Sequence, residues 1–317
     1  MILLKVDGHA PATIEHGQTL LEAGLAAGLP LPYGCRSGLC GACRMRLVAG
    51  EVTHDPHAAA ALSPAERRGG IVLACRARAT SDVTLALADA PLPPPFPRRF
   101  DTRVANRRPL GPRITELAVE PPPGGLAYLA GQYATLGFAG AAPRDFSMAG
   151  LPGDATITFH LRAAGSGGAA AAAADLRPGD PVTMEGPFGR AYLRPDGAGP
   201  LLLVAGGTGL APMLAIARAA LAEQPDRPTT LCAGATDPAD LYGAACLDGL
   251  AAAHPSFAWQ AATDRLVAVA VTTAESLDAP VIHAAGPPAM VRALRSGLRV
   301  SGVRPAAFHS DAFNPVG

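Results

Sequence analysis

Short runs of alternating hydrophobic and polar positions open the chain. ILLKVD and ATIEH read as the two strands of a hairpin, and TLLEAGLAAG follows as a short helix with one apolar face. RMRLVAGEV, IVLACRARAT and VTLALA continue as strands, with the polar turn-and-helix SPAERRGG among them. From Ala90 the pattern breaks into APLPPPFPRRF, whose prolines cannot join a sheet interior and predict a semi-rigid tether. Short strand signals then recur between Gly/Pro turns (TRVANRR, ITELAVEP, QYATLGF, ATITFHLR, PVTMEGPFG), the spacing of a small antiparallel barrel. The last third changes period. LLLVA is an apolar run suited to a buried parallel strand, and GGTGLAP and a helix of alternating apolar faces follow it. Strand and helix signals then alternate through TTLCAGA, PADLYGAACLDGLAAA, FAWQAAT, PVIHAAGP and PAMVRALRSGL, which predicts a doubly wound α/β domain. The chain therefore divides into residues 1–90, a linker over 91–99, a barrel over 100–197 and an α/β domain over 198–317.

Composition narrows the function. At 317 residues and 49% hydrophobic the chain can bury several cores. Its 26 basic and 26 acidic residues balance, so nothing points to a nucleic-acid partner. Lys5 is the only lysine, and with the alanine abundance this reads as coding bias without functional weight. MILLKVDGHA reaches Asp7 too early for a secretory segment, and no apolar run approaches the roughly 20 residues of a membrane span. A soluble protein of the reducing cytoplasm is expected, and no membrane partner.

Cysteines then carry the chemistry. Cys35, Cys40 and Cys43 form C-x4-C-x2-C in a glycine-rich loop, and Cys75 follows. That is the plant-type spacing for a [2Fe–2S] cluster held by four thiolates. Gly34, Ser37, Gly38 and Gly41 would let the backbone curl and aim N–H groups at the sulfurs. A structural zinc site is the alternative. Cys232 and Cys246 stand alone in apolar segments and are expected to be plain buried thiols. His54 and His57 in THDPH are read as a surface turn, not a metal pair.

With its four matching cysteines, the first part resembles a plant-type ferredoxin, a β-grasp domain. In the barrel, RDFSMAG resembles the flavin motif of the ferredoxin–NAD(P)+ reductase superfamily. That resemblance implies that Arg144 meets a phosphate, Phe146 gives the isoalloxazine an aromatic face, and Ser147, with Met148 beside it, sets a hydroxyl near the redox-active nitrogen. Arg162, with the turn holding Gly167 and Gly168 before the expected alanine helix, is where backbone N–H groups could receive a pyrophosphate, although the hydroxyl residue usual after that turn is missing. His160 is carried into the flavin set beside the bland reading of a structural histidine, and Phe313 beside that of a core-closing aromatic.

GGTG-x-AP resembles the pyridine-nucleotide lobe of the same superfamily, with Gly207, Thr208 and Gly209 at the phosphates; Pro212 stands where a third glycine would complete G-x-G-x-x-G. Asp237 would accept a hydrogen bond from an adenosine ribose hydroxyl and repel a 2′-phosphate, and Tyr242 follows it. Thr236 occupies a place where relatives often have arginine, so NADH is expected over NADPH. HAAGPPAM resembles the Cys-Gly-x-Pro signature around Gly286 and Pro287, with Ala285 at the cysteine position.

Together the motifs are similar to the reductase components of bacterial aromatic-ring dioxygenases, the naphthalene dioxygenase reductase type. The resemblance implies an NADH:ferredoxin/oxygenase oxidoreductase with FAD and a [2Fe–2S] cluster, passing electrons from NADH through both to a Rieske ferredoxin or terminal oxygenase. A flavin is needed between, because NADH gives electrons in pairs and the cluster takes them singly. No Rieske or His-Glu-x-x-His set is present in the sequence. A diiron monooxygenase or deoxysugar dehydratase as the sink, and a redox-sensing role, stay open. Arg36, Arg44 and Arg46 flank the cluster ligands and could dock an acidic partner; solvated strand ends account for them equally.

Overall fold

Leu4, Ile14, Met45, Leu73, Val83 and Leu85 turn into one shared core, and the N-terminal strands that carry them follow from that requirement. The computed structural model describes residues 2–6, 8–29, 31–33, 36–38, 41–59, 61–87, 95, 97–162, 172–195, 197 and 199–313. It divides into two compact units, Met1–Arg98 with Pro187–Gly189, and Arg99–Gly186 with Arg190–Gly317.

In the first unit, chain order runs β1 (Ile2–Val6), β2 (Ala12–Ile14), α1 (Leu20–Ala26), β3 (Arg44–Ala49), β4 (Val52–His54), α2 (Pro64–Arg68), β5 (Ile71–Leu73), β6 (Ala77–Ala79) and β7 (Val83–Leu87). Five strands form one sheet in the order β2-β1-β7-β3-β5, and β4 pairs with β6. Both helices start in capping boxes: Thr19 with Glu22 for α1, Ser63 with Glu66 for α2. Leu4, Leu20, Met45, Leu73 and Leu85 fill the core beneath them.

The second unit starts with β8 (Arg98–Pro109), β9 (Ile114–Val119), β10 (Tyr133–Gly137), β11 (Arg144–Ser147), β12 (Ile157–Arg162) and β13 (Pro181–Phe188). They form a six-stranded sheet in the order β11-β10-β13-β8-β9-β12. Its two edge strands are tied by the Met148–Phe159 bridge, which closes the sheet into a barrel. Of the linker stretch, only 95 and 97–99 are described, and Arg98 already opens β8.

A parallel sheet follows: β14 (Leu201–Gly206), α3 (Leu210–Glu223), β15 (Thr229–Ala235), α4 (Ala244–Ala253), β16 (Phe257–Thr263), α5 (Leu266–Glu275), β17 (Val281–Gly286), α6 (Pro288–Val300) and β18 (Ala307–Ala312). Strand order is β16-β15-β14-β17-β18, every pair parallel. The order reverses at β14, so the carboxyl ends of β14 and β17 border the crevice where such sheets take ligands.

Two expectations change here. Cys246 is exposed on α4, not buried, whereas Cys232 is buried in β15. Apart from Asp248 the stretch AACLDGLAAA is apolar all round, so its pattern could not say which way Cys246 turns. His54 ends β4 instead of lying in a turn, and both its ring nitrogens are enclosed without a hydrogen-bond partner among the described residues. The helix expected over the alanine run lies mostly outside the described residues; its described end, Ala173–Asp175, is a 3-10 turn. Among the described residues no helix is long and apolar enough to cross a membrane.

Candidate functional site

Cys43 sits just before β3 and Cys75 in the turn after β5. The Ala74 N–H donates to the Cys43 carbonyl at 2.9 Å, which locks the two turns together. Both thiols are buried, and Cys43 Sγ lies 3.2 Å from Cys75 Sγ. Two enclosed sulfurs converging on one point fit a shared metal site. Cys35 and Cys40 lie outside the described residues. Gly41, at φ +71°, holds a turn that other residues rarely adopt, and a Cβ there would sit 3.0 Å from the Ala61 carbonyl oxygen.

Arg44 is committed to this loop. Its Nε donates to the Ala61 carbonyl at 2.7 Å and its Nη1 to Glu66 Oε1 at 2.9 Å, so it braces the loop against α2 instead of standing ready for a partner. Arg36 stacks its guanidinium 4.5 Å from the Tyr33 ring centre, and Arg46 remains exposed, with Nη1 at 3.4 Å from the Gly69 carbonyl.

On β11 the period of two separates the expected flavin residues. Arg144 is exposed and Phe146 half-buried on one face, the latter against Phe138 with ring centres 6.3 Å apart; Ser147 is buried on the other. An open arginine and a partly open aromatic face at one strand fit a flavin with its phosphate. Met148 is fully buried in the barrel core, so its side chain serves packing. Gly167 and Gly168 lie outside the described residues. His160 and Tyr242 are both buried and meet each other, His160 Nδ1 lying 2.9 Å from the Tyr242 hydroxyl. Burial pushes the His160 ring down to about 4, so it is neutral at physiological pH. This pair ties β12 to the parallel-sheet lobe.

A cavity of about 1070 Å³ opens at the carboxyl ends of the parallel strands. Gly207, Thr208, Asp237, Pro287 and Phe313 line it, and so does Arg162 from the barrel. Gly209 is buried behind it, where the first turn of α3 presses on β17; Gly286 ends β17 and accepts from the Phe313 N–H at 2.9 Å. Ala285, at the position expected to bear a cysteine, is fully buried.

Comparison with known proteins agrees with this geometry. Residues 4–80 match the family model for a 2Fe-2S iron-sulfur cluster binding domain, and residues 203–296 that for an oxidoreductase NAD-binding domain. The chain is 34% identical, over 96% of its length and 95% of the relative's, to the ferredoxin–NAD(P)+ reductase component of the naphthalene 1,2-dioxygenase/salicylate 5-hydroxylase systems of Ralstonia sp.. The chain belongs to the naphthalene dioxygenase reductase type of ferredoxin–NAD(P)+ reductases. The reductase is also 40% identical, over 74% of this chain and 73% of the relative, to the ferredoxin–NAD(+) reductase component of an alkene monooxygenase system from Xanthobacter autotrophicus. Among solved structures it is similar to the Amycolatopsis cytochrome P450 reductase GcoB, with a TM-score of 0.77, 31% identity and 99% of both chains covered. Its cofactors are FAD and a [2Fe–2S] cluster, with NADH as donor, and its electron acceptor is a ferredoxin or oxygenase.

The reductase also holds residues that sequence reasoning missed. Arg113, on the β8–β9 connection, lines the cavity and donates through Nε to Asp240 Oδ1 at 2.7 Å and through Nη2 to Asp237 Oδ2. Arg162 Nη2 donates to the other oxygen of Asp240 at 2.6 Å. Asp311, on β18, accepts from Ser147 Oγ at 3.0 Å, and burial raises its carboxyl to about 6. The folded chain holds a proton on Asp311 that the unfolded chain has already lost between about pH 4 and about pH 6, so this group's contribution to stability falls as pH rises through that window. Asp311→Asn keeps an acceptor for Ser147 and removes the slope. Its melting temperature minus that of the wild type is expected to grow between about pH 4 and about pH 6 and then level off, and a constant difference would contradict the assignment.

Proposed function

We propose that this reductase takes electrons from NADH and delivers them, through FAD and the [2Fe–2S] cluster, to the Rieske ferredoxin or terminal oxygenase of an aromatic-ring dioxygenase system in the cytoplasm. In this reading residues 1–90 form the ferredoxin domain, 100–197 the flavin domain and 198–317 the NADH domain. Cys35, Cys40, Cys43 and Cys75 hold the cluster. Arg144, Phe146 and Ser147 hold the flavin, which accepts electrons in pairs and releases them singly when bound. Gly207, Thr208 and Asp237 receive the dinucleotide, and Phe313 covers the meeting point.

The observation that carries the reading is the convergence at the end of β18. Phe313 lines the dinucleotide cavity, while Asp311, two positions earlier, accepts from Ser147 of the flavin strand. One strand end thus links the two sites, and the chain's own task is to hold both partners in place and keep water out.

Anaerobic mixing of the NADH-reduced protein with a Rieske ferredoxin tests it. Rapid bleaching of the ferredoxin bands is expected, with kcat/KM for NADH above that for NADPH. A ferredoxin that stays oxidised beside a reduced flavoprotein would move the sink elsewhere. The identity to an alkene monooxygenase component makes a monooxygenase the second reading. Equal kcat/KM for the two dinucleotides would overturn the cofactor preference.

A further inference from the structure

Four charged side chains from three separate stretches of chain close one wall of the dinucleotide cavity: Arg113, Arg162, Asp237 and Asp240. Asp240 is the anchor. It is buried, and each of its carboxylate oxygens is taken by a different arginine, Arg113 at 2.7 Å and Arg162 at 2.6 Å. Asp237 stands further out and is half exposed. Its Oδ1 accepts from the Ala239 N–H at 2.9 Å, and its Oδ2 from Arg113 Nη2. Arg113 therefore bridges a buried aspartate and an open one, and among the described residues its Nη1 makes no hydrogen bond.

Charge arithmetic gives this bridge a consequence. Asp237 alone would put an uncompensated carboxylate where an adenosine ribose binds, and a 2′-phosphate would meet like charge. With Arg113 on Oδ2 the local charge is cancelled. The lone pairs left on Asp237 still accept a ribose hydroxyl, and the remaining Nη1 faces of the guanidinium can meet a phosphate. We propose that Arg113, reaching from the barrel, is a specificity-determining residue of the dinucleotide site that offsets Asp237 and sets how far a 2′-phosphorylated dinucleotide is tolerated. This rests on the reading that Asp237 receives the adenosine ribose. Because Arg113 and Asp237 are both partly open to water, the effect is a difference between two ligands, not a contribution to folding, and it shrinks at high salt. Arg265 lines the same cavity and, with Arg162, is a competing cation.

The test uses the full-length, cofactor-loaded protein and calorimetric binding of ADP-ribose and of its 2′-phosphorylated form. Arg113→Gln is expected to lose about tenfold in affinity for the phosphorylated probe and less than about threefold for the plain one, with Arg113→Lys between. Asp237→Asn is expected to shift the ratio the other way. Equal losses for both probes in Arg113→Gln would make Arg113 a mere clamp between the barrel and the nucleotide lobe. Selective loss in Arg265→Gln with none in Arg113→Gln would assign the role to Arg265. If Asp237→Asn moves neither probe, the ribose reading of Asp237 itself falls. If Asp237→Asn moves the ratio and Arg113→Gln does not, only the inference falls.

Discussion

Replacing Cys75 with serine is expected to strip the [2Fe–2S] cluster while leaving NADH-driven reduction of a small two-electron dye within about twofold of wild type. Delivery to a one-electron protein acceptor should fall by about two orders of magnitude or more, since the cluster is the only one-electron exit in the proposed chain. Cys75 Sγ faces Cys43 Sγ at 3.2 Å inside a buried pocket, and a hydroxyl is a much harder, less readily ionised ligand than a thiol. The backbone around it keeps its bonds in the variant: Ala74 N to the Cys43 carbonyl at 2.9 Å and Leu21 N to the Ala74 carbonyl at 2.9 Å. Any loss of protein-acceptor activity therefore reports the metal site before it reports the fold. Iron and sulfide content, the visible spectrum and the two activities would be measured together. Unchanged iron would remove Cys75 from the ligand set, and zinc in place of iron in the wild type would replace the cluster with a structural site. A cluster-free variant that still reduced the protein acceptor at the wild-type rate would mean that electrons leave directly from the flavin.

What could be read from sequence alone was whatever depends on neighbours along the chain. TTLCAGA was legible as a strand because an apolar run before a polar turn is a local signal, and Thr229–Ala235 is a strand with those bounds. The cysteine spacing and the glycine turn before α3 were legible for the same reason. The charged wall of the cavity was not. Arg113 and Asp240 are 127 positions apart, and Ser147 and Asp311 are 164 apart. A single arginine in a polar turn carries no period or spacing that could announce a partner so distant. Thr236 stands beside Asp237 in sequence, but the arginine that pairs with Asp237 comes from another part of the fold, which only topology reveals. Arg44 illustrates the same limit. Its place beside a cluster ligand is compatible with docking or with a solvated strand end, and its pairing with Glu66, whose carboxylate the Ser63 capping box orients, is visible only in the fold.

Gly209→Ala should be the most damaging single-methyl change in the nucleotide lobe. Backbone conformation is not the reason. Gly209 has φ −57° and ψ −14°, which alanine adopts readily. Sterics decide instead. A Cβ at Gly209 would stand 2.1 Å from the Ala285 carbonyl oxygen and 2.6 Å from its carbon. Ala285 belongs to β17, whose backbone is fixed between β14 and β18 in a parallel sheet. Nothing flexible is there to yield, so the overlap is expected to cost about 3 kcal/mol. A loss of about 3 kcal/mol corresponds to a fall in melting temperature of roughly 6–12 °C for a unit of this size. Relief of the overlap must push the start of α3 away from β17, which displaces Gly207 and Thr208 from Pro287 across the cavity they share. KM for NADH should therefore rise about tenfold, while the iron–sulfur spectrum, which belongs to the other unit, stays unchanged. A variant as stable as wild type would show that helix and strand do not need this close approach, and unchanged KM with lowered stability would separate the contact from dinucleotide binding.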